Sequence, residues 1–468
     1  MSGSPTRGAT PPRPLLGSTL WAIGGTGFYH ACQLGVLVLL AKLASPSIQG
    51  QYVLGLALAT PVVLFFGLEL RSAFVSDAGR QFPLGAYLTL RRLTLLLAAG
   101  VLLGLLAWQA ASGDSPASYL LILAGVFGAR IFWAWAEIGW GVYQRRERLD
   151  LLGVSVGLRG LALLLPFAVL VPLYAWLRAS GRIPPERLAE GVALAVLIHA
   201  LGFAALWFLF DRRRALRAPL PLREGPREGQ GGRASLPASR GSAGASPSQS
   251  PPWPAIRALA VQTLPLGVVA LTINLCDAFP RVVIEQGPDG RALLGYFGAL
   301  AYITLAGNLV VVQASTAAAN RLAVFYQQDL RAFLRLGVRL IGVATAIGAG
   351  VLVVAVLFGR WILTTLYTAD YARFETEFRI IVLAHCLALL TNVFGAATTQ
   401  MRLFWLQVPA QVITLLCTAV AALVLIPGPN PVLGAAQTAL VRAVVQFVLY
   451  ATCVGLGLAC RRQAEPRF

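Results

Sequence analysis

A chain of 468 residues that is 57% hydrophobic, only 12% charged and has a mean hydropathy of +0.71 is not an ordinary soluble protein. Its solvent is lipid. The net charge of +19 would suggest nucleic acid in a soluble chain, but the arginines fall mostly between apolar stretches and nowhere interleave with aromatics on a soluble platform, which argues against a nucleic-acid partner.

In chain order, residues 1–16 form a polar, proline-rich tail, and twelve apolar stretches follow. The first six are Gly17–Leu43, Gln51–Leu70, Leu93–Ala111, Ala117–Val142, Leu151–Trp176 and Leu188–Phe210. The second six are Ile256–Ile284, Leu293–Ala318, Phe333–Phe358, Phe378–Thr399, Val408–Ile426 and Val432–Ala459. Each is long enough to cross the hydrocarbon core as a helix that closes its own backbone hydrogen bonds. Gly17–Leu43 is too long for the apolar region of a signal peptide and reads as a retained span. Residues 211–255 begin Asp211-Arg212-Arg213-Arg214 and continue with Arg, Ser, Gly and Pro, a composition with almost nothing to bury that reads as a flexible linker. The expected domains are thus a tail (1–16), a six-helix lobe (17–210), a linker (211–255), a second six-helix lobe (256–459) and a tail (460–468). Cys32, Cys276, Cys386, Cys417, Cys453 and Cys460 show no metal or redox spacing and read as small hydrophobes. Neither a metal nor another cofactor is expected.

Positive flanks are retained in the cytoplasm, so the arginines orient the chain. With the N-terminus inside, the inner segments hold Arg71, Arg80, Arg91, Arg92, Arg145, Arg146, Arg148, the linker, Arg321, Arg331, Arg335, Arg402, Arg461, Arg462 and Arg467. Both termini and the linker are then cytoplasmic. The outer loops are short, and the largest, Gly359–Glu377, carries Trp361, Tyr367 and Tyr371, which suit an interfacial belt.

The halves resemble each other. Gly50-Gln51-Tyr52-Val53-Leu54-Gly55-Leu56-Ala57-Leu58 can be laid over Leu294-Gly295-Tyr296-Phe297-Gly298-Ala299-Leu300-Ala301-Tyr302, Leu84–Leu88 over Leu330–Leu334, and Gln144-Arg145-Arg146 over Gln400-Met401-Arg402. Three matches in one order suggest a duplication. Six helices per half leave the repeats parallel, an arrangement that places a substrate between two rocking halves. The expected fold is therefore an all-α integral membrane protein with twelve transmembrane helices in two six-helix lobes. Gly17-Ser18-Thr19-Leu20-Trp21, Gly50-Gln51-Tyr52 and Gly141-Val142-Tyr143-Gln144-Arg145-Arg146-Glu147-Arg148 resemble the polysaccharide-biosynthesis flippases, the Wzx-type branch of the multidrug/oligosaccharidyl-lipid/polysaccharide exporter superfamily. That resemblance implies a V-shaped two-lobe transporter, not an enzyme, in a bacterial cytoplasmic membrane. It implies movement of a polyprenyl-diphosphate-linked oligosaccharide from the inner to the outer leaflet. Membrane lipids, a polysaccharide polymerase and chain-length machinery are the implied partners.

A charge at mid-membrane costs about 2.5–3.5 kcal/mol, so polar residues within spans are informative. Arg130, Trp133, Glu137, Trp140 and Gln144 share one face of the fourth span, Asn274, Asp277 and Arg281 one face of the seventh, Thr26, His30 and Gln33 one face of the first, and His385 and Asn392 one face of the tenth. Arg159 and Arg442 are single arginines in the fifth and twelfth. One reading is a water-filled cavity in which Arg130, Arg159, Arg281 and Arg442 hold a diphosphate, Trp133 faces sugars, and Glu137, Asn274 and Asp277 complete the lining. His30, Asp277 and His385 are then candidates for ion or proton coupling. The other is interhelical fastening, with Arg130 paired to Glu137 and Arg281 to Asp277. Gly100/Gly104 and Gly153/Gly157 have the spacing of close helix contacts. A drug or cation antiporter on the same fold would tend to want an acidic cavity, whereas these spans hold more Arg than Asp or Glu. A membrane polysaccharide polymerase or ligase would call for a long outer loop.

Overall fold

The computed structural model describes residues 15–77, 81–111, 116–216, 253–304, 328–401 and 403–464, with 311, 315, 318, 321, 322 and 324–326 between them. Eleven of its helices are long and apolar enough to cross a membrane. In order the spans are Leu15–Leu43, Pro46–Gly67, Leu84–Ala111, Ala117–Arg145, Leu149–Ala179 and Arg187–Leu206, then Trp253–Glu285, Leu330–Leu366, Glu375–Gln400, Phe404–Leu425 and Pro431–Ala464. The expected eighth span appears as Gly290–Ile303, and part of its continuation lies outside the described residues. Counting it, the spans number twelve, and they are called first to twelfth below.

Turn chemistry sets several starts. Ser45 caps the second span, its Oγ accepting from the Ile48 amide at 3.3 Å, and Pro46 supplies the first helical position without needing a partner for an N–H. Asp329 accepts from the Ala332 amide at 2.9 Å and Asn430 from the Leu433 amide at 3.1 Å at the ninth and twelfth. Three spans run further than their apolar composition suggests. The third begins at Leu84, two turns before the expected Leu93, taking in Arg91 and Arg92; the ninth runs to Leu366; and the sixth continues through a π-helical turn at Trp207–Asp211 into Arg212–Leu216. Asp211, read from sequence as the start of a polar linker, is a fully buried helical residue. The rest of that linker, 217–252, lies outside the described residues.

The repeat is visible in the packing. In the first lobe span one packs on five, four on six, five on six, three on four and two on four; in the second, seven packs on eleven, ten on twelve, eleven on twelve, nine on ten and eight on ten. Each pair is the other shifted by six spans, which is what a parallel duplication requires. The lobes meet through spans two and eight, flanked by the contacts of two with seven and one with eight.

Glycine makes the closest of these meetings. A Cβ on Gly50 would lie 1.7 Å from the Arg291 carbonyl oxygen, and one on Gly295 would lie 2.1 Å from that of Pro46, so these backbones cross with no room for any side chain. Gly25 and Gly153 do the same between spans one and five, each facing backbone atoms 2.0–2.1 Å from its would-be Cβ. Gly153 thus marks a close helix contact as expected, with Gly157 beside it, but Gly100 and Gly104 face open space, and their spacing reflects no packing.

Candidate functional site

Between the lobes lies a cavity of about 690 Å³. Its first-lobe wall comes from the second span, with Thr60 and Pro61, and from Arg130 on the fourth. The second lobe supplies most of the polar lining: Asn274, Asp277 and Arg281 of the seventh span, His385 and Asn392 of the tenth, Gln407 and Gln411 of the eleventh, Arg442, Gln446 and Tyr450 of the twelfth. Among the described residues three arginines and one aspartate line it, so their charges sum to +2 (3 − 1).

The charged residues divide into two kinds. Arg442 donates through Nη1 to Asp277 Oδ1, joining spans twelve and seven, and Asp277 remains about half exposed to the cavity. Arg130 and Arg281 approach from opposite lobes. Among the described residues neither forms an ion pair or hydrogen bond, and the Arg281 Nε is buried with no acceptor. The expected fastenings of Arg130 to Glu137 and Arg281 to Asp277 are therefore not the ones formed. A guanidinium in such a setting keeps its planar fork free for an anion.

Two residues expected in the cavity stand elsewhere. Arg159 is completely buried inside the first lobe, where Nη2 donates to Asp211 Oδ2 at 2.7 Å and Nη1 to Ser155 Oγ at 2.6 Å, with the guanidinium carbon 5.2 Å from the Trp140 ring centroid. Ser155 Oγ donates to Asp211 Oδ1 at 2.8 Å, and the Trp140 indole N–H donates to Ser155 at 2.8 Å. This buried network fastens spans four, five and six, and the reading of Arg159 as a diphosphate ligand is corrected. Glu137 likewise faces Arg91 of the third span at 3.5 Å rather than the cavity. One helical face thus serves two purposes, because its neighbours change along its length: Arg130 reaches the cavity, while Glu137 and Trp140 lie deep among helices.

Trp133 lines a narrow crevice beside the cavity, shared with Tyr29, Gln33, Tyr52, His199 and Phe203, and packs on Tyr29 at 4.7 Å. The crevice adjoins the main cavity through Arg130 and Leu56, which line both. Of the coupling candidates, Asp277 and His385 line the cavity; His30 does not, and its ring packs edge-on to Tyr29 at 5.6 Å. Asn274 lines it too, although its amide nitrogen donates back to Ala270 O at 2.7 Å.

Several lining residues escaped the sequence reading: Gln407, Gln411, Gln446, Tyr450 and Tyr302. Gln407 and Gln411 are four apart, as are Arg442, Gln446 and Tyr450, so extending the stripe search to uncharged amides would have found them. Gln411 donates to Tyr450 OH at 2.7 Å, and Gln33 Nε2 donates to Tyr302 OH at 2.9 Å across the lobes.

The lobes are joined on the side away from the termini. Tyr371 OH donates to Gln49 Oε1 at 2.7 Å, Lys42 Nζ to Thr365 O at 2.8 Å, and the Arg291 guanidinium lies 4.6 Å from the Tyr119 ring. Tyr367 and Tyr371, expected in an interfacial belt, are buried in this closure, whereas Trp361 is exposed as a belt residue would be.

Among the described residues, an all-helical, two-lobe, parallel-repeat bundle with a charged cavity between the lobes defines a class of membrane transporter fold. Comparison with solved structures finds the same fold in a lipid flippase and in a transporter of the multidrug/oligosaccharidyl-lipid/polysaccharide exporter superfamily. The chain is similar to the lipid II flippase MurJ in an inward closed conformation, with TM-score 0.66 and 10% identity over 93% of this chain and 87% of that one. It is similar also to an inward-facing multidrug resistance MATE family transporter of this superfamily, with TM-score 0.61 and 13% identity over 96% and 99% of the two chains. In sequence it is 22% identical over 427 residues to the capsular polysaccharide biosynthesis protein CapF of Staphylococcus aureus, covering 90% of this chain and 94% of that protein. No family model matches the sequence. The resemblance to the polysaccharide-biosynthesis flippases is in accord with all three likenesses.

Proposed function

We propose that this protein flips a polyprenyl-diphosphate-linked oligosaccharide from the cytoplasmic to the outer leaflet of a bacterial cytoplasmic membrane by alternating access, with no covalent chemistry. The observation that carries the reading is the pair of unpartnered guanidiniums, Arg130 and Arg281, held on opposite lobes around a cavity whose charged lining sums to +2. Buried or half-buried cations without counter-ions are unfavourable in a low-dielectric setting, and a diphosphate diester brings two negative charges. A ligand gripped by both lobes also has the leverage to change their relative position, because its affinity then differs between the open and closed arrangements.

The polysaccharide-biosynthesis name of the relative and the lipid-flipping name of the first structural neighbour support the substrate class. A cationic drug is disfavoured by the lining, in which Asp277 is held by Arg442. On this reading both termini and the central segment face the cytoplasm, lobes 17–210 and 256–459 rock about spans two and eight, and the state described is closed to the outside. The test is translocation of a fluorescent polyprenyl-diphosphate oligosaccharide in vesicles. The parent moves it, and Arg130→Gln with Arg281→Gln, though folded, does not. Parental transport by that double variant rejects the diphosphate site.

A further inference from the structure

An anion cavity containing a carboxylate poses a question of its own. Asp277 sits about half exposed on the cavity wall, one helical turn from Arg281, and is paired with Arg442 across spans seven and twelve. For diphosphate binding alone, an asparagine would leave three free arginines and a stronger site. We propose that Asp277 is a specificity-determining residue: it occupies Arg442 in the empty protein and so keeps singly charged phospholipids out of a cavity meant for a doubly charged head group. This rests on the proposed diphosphate substrate.

The charge sum supports it. Arg130, Arg281 and Arg442 give +3, and Asp277 brings the lining to +2 (3 − 1), equal and opposite to a diphosphate diester. A phosphatidylglycerol head group, with one charge, gains too little from the free guanidiniums to displace a carboxylate already bonded to Arg442. A diphosphate, with two charges, competes for Arg442 as well as for the free pair, since a phosphate can pair bidentately with a guanidinium that the carboxylate holds through one oxygen. Discrimination here comes from a built-in competitor, a repulsive element set against the wrong ligand. Such a competitor matters because anionic phospholipids vastly outnumber any lipid-linked glycan in the surrounding bilayer.

The test uses the full-length protein purified from vesicles of phosphatidylethanolamine containing 20 mol% phosphatidylglycerol as a chosen probe composition, with retained lipid counted by native mass spectrometry. Asp277→Asn should retain at least about tenfold more phosphatidylglycerol than the parent, the effect of about 1.4 kcal/mol. Asp277→Glu, which keeps the charge and the pair, should stay at the parental level. Asp277→Asn combined with Arg442→Gln should return towards it. Farnesyl diphosphate binding in phosphatidylethanolamine alone is measured alongside. Parent and Asp277→Asn both bind it, and added phosphatidylglycerol inhibits only the variant. Equal phosphatidylglycerol retention by parent and Asp277→Asn overturns the inference and leaves the pair as a fastening of spans seven and twelve. Failure of the parent to bind farnesyl diphosphate overturns the proposed substrate instead, and the retention ratio is read regardless.

Discussion

Removing the carboxylate of Asp211 should unfold the first lobe far more readily than removing any cavity charge. In the native state Asp211 and Arg159 are both 0% exposed, 2.7 Å apart. The carboxylate accepts from Arg159 on Oδ2, and from Ser155 at 2.8 Å and Tyr143 at 3.3 Å on Oδ1. Asp211→Asn keeps the shape but leaves a buried guanidinium without a counter-charge. Its single amide oxygen can serve one side of this network, while its NH2 confronts a donor on the other. Breaking a buried pair in this way costs about 3–5 kcal/mol. Arg159→Gln should cost a similar amount by stranding the carboxylate. The double replacement Arg159→Met, Asp211→Leu should recover most of the loss, because the desolvation of both charges is removed together. Reversible unfolding in mixed detergent micelles, followed by tryptophan fluorescence, gives the three values. A single variant within about 0.5 kcal/mol of the parent would refute the argument, since a surface pair would behave that way. Whatever ligand binding Arg159→Gln loses should track its unfolded fraction, and the folded remainder should bind normally.

Arg130→Gln and Arg281→Gln, by contrast, should unfold like the parent yet each weaken farnesyl diphosphate binding by at least tenfold, consistent with about 1.5–3 kcal/mol for a charged hydrogen bond; calorimetric titration reads both, with Lys giving only partial rescue at either position. Gly295→Ala, whose Cβ would sit 2.1 Å from the Pro46 carbonyl oxygen, should force spans two and eight apart; cysteines at Gln49 and Tyr371, bridged by a short bifunctional thiol reagent in the otherwise parental protein, should cross-link less in that background, and unchanged cross-linking would count against the closure. In intact cells lacking the native cysteines, an impermeant thiol reagent should label a cysteine at Ser180 or Pro429 and not one at Ser242; labelling at Ser242 would reverse the orientation.

The fold was legible because a bilayer admits so few solutions. Apolar runs of the right length must become helices, and an even number in each half leaves the repeats parallel. What hydropathy misplaced were helix ends whose charges are internally neutralised. Arg91 looked like a loop residue, but Glu137 accepts it inside the lobe; Asp211 looked like the start of a linker, but Arg159 holds it in a helix. The same blindness to partners misassigned Arg159 to the cavity, for helical spacing shows which residues share a face without showing what that face meets. Arg130, Asn274, Asp277, Arg281, His385 and Arg442 line the cavity, where few neighbours compete for a helix face that looks across the gap between lobes. The tyrosines at 367 and 371 were missed as closure residues, since an interfacial aromatic and a buried one look alike in sequence.

The central claim is that Arg130 and Arg281 together hold the diphosphate of a lipid-linked glycan between the lobes. Vesicles carrying the parent or the Arg130→Gln, Arg281→Gln double variant, matched for folded protein, should be loaded with a fluorescent polyprenyl-diphosphate oligosaccharide, and its arrival in the opposite leaflet followed with an impermeant quencher. The account predicts transfer by the parent and transfer at the protein-free rate by the double variant, whereas equal transfer by the two proteins would contradict it.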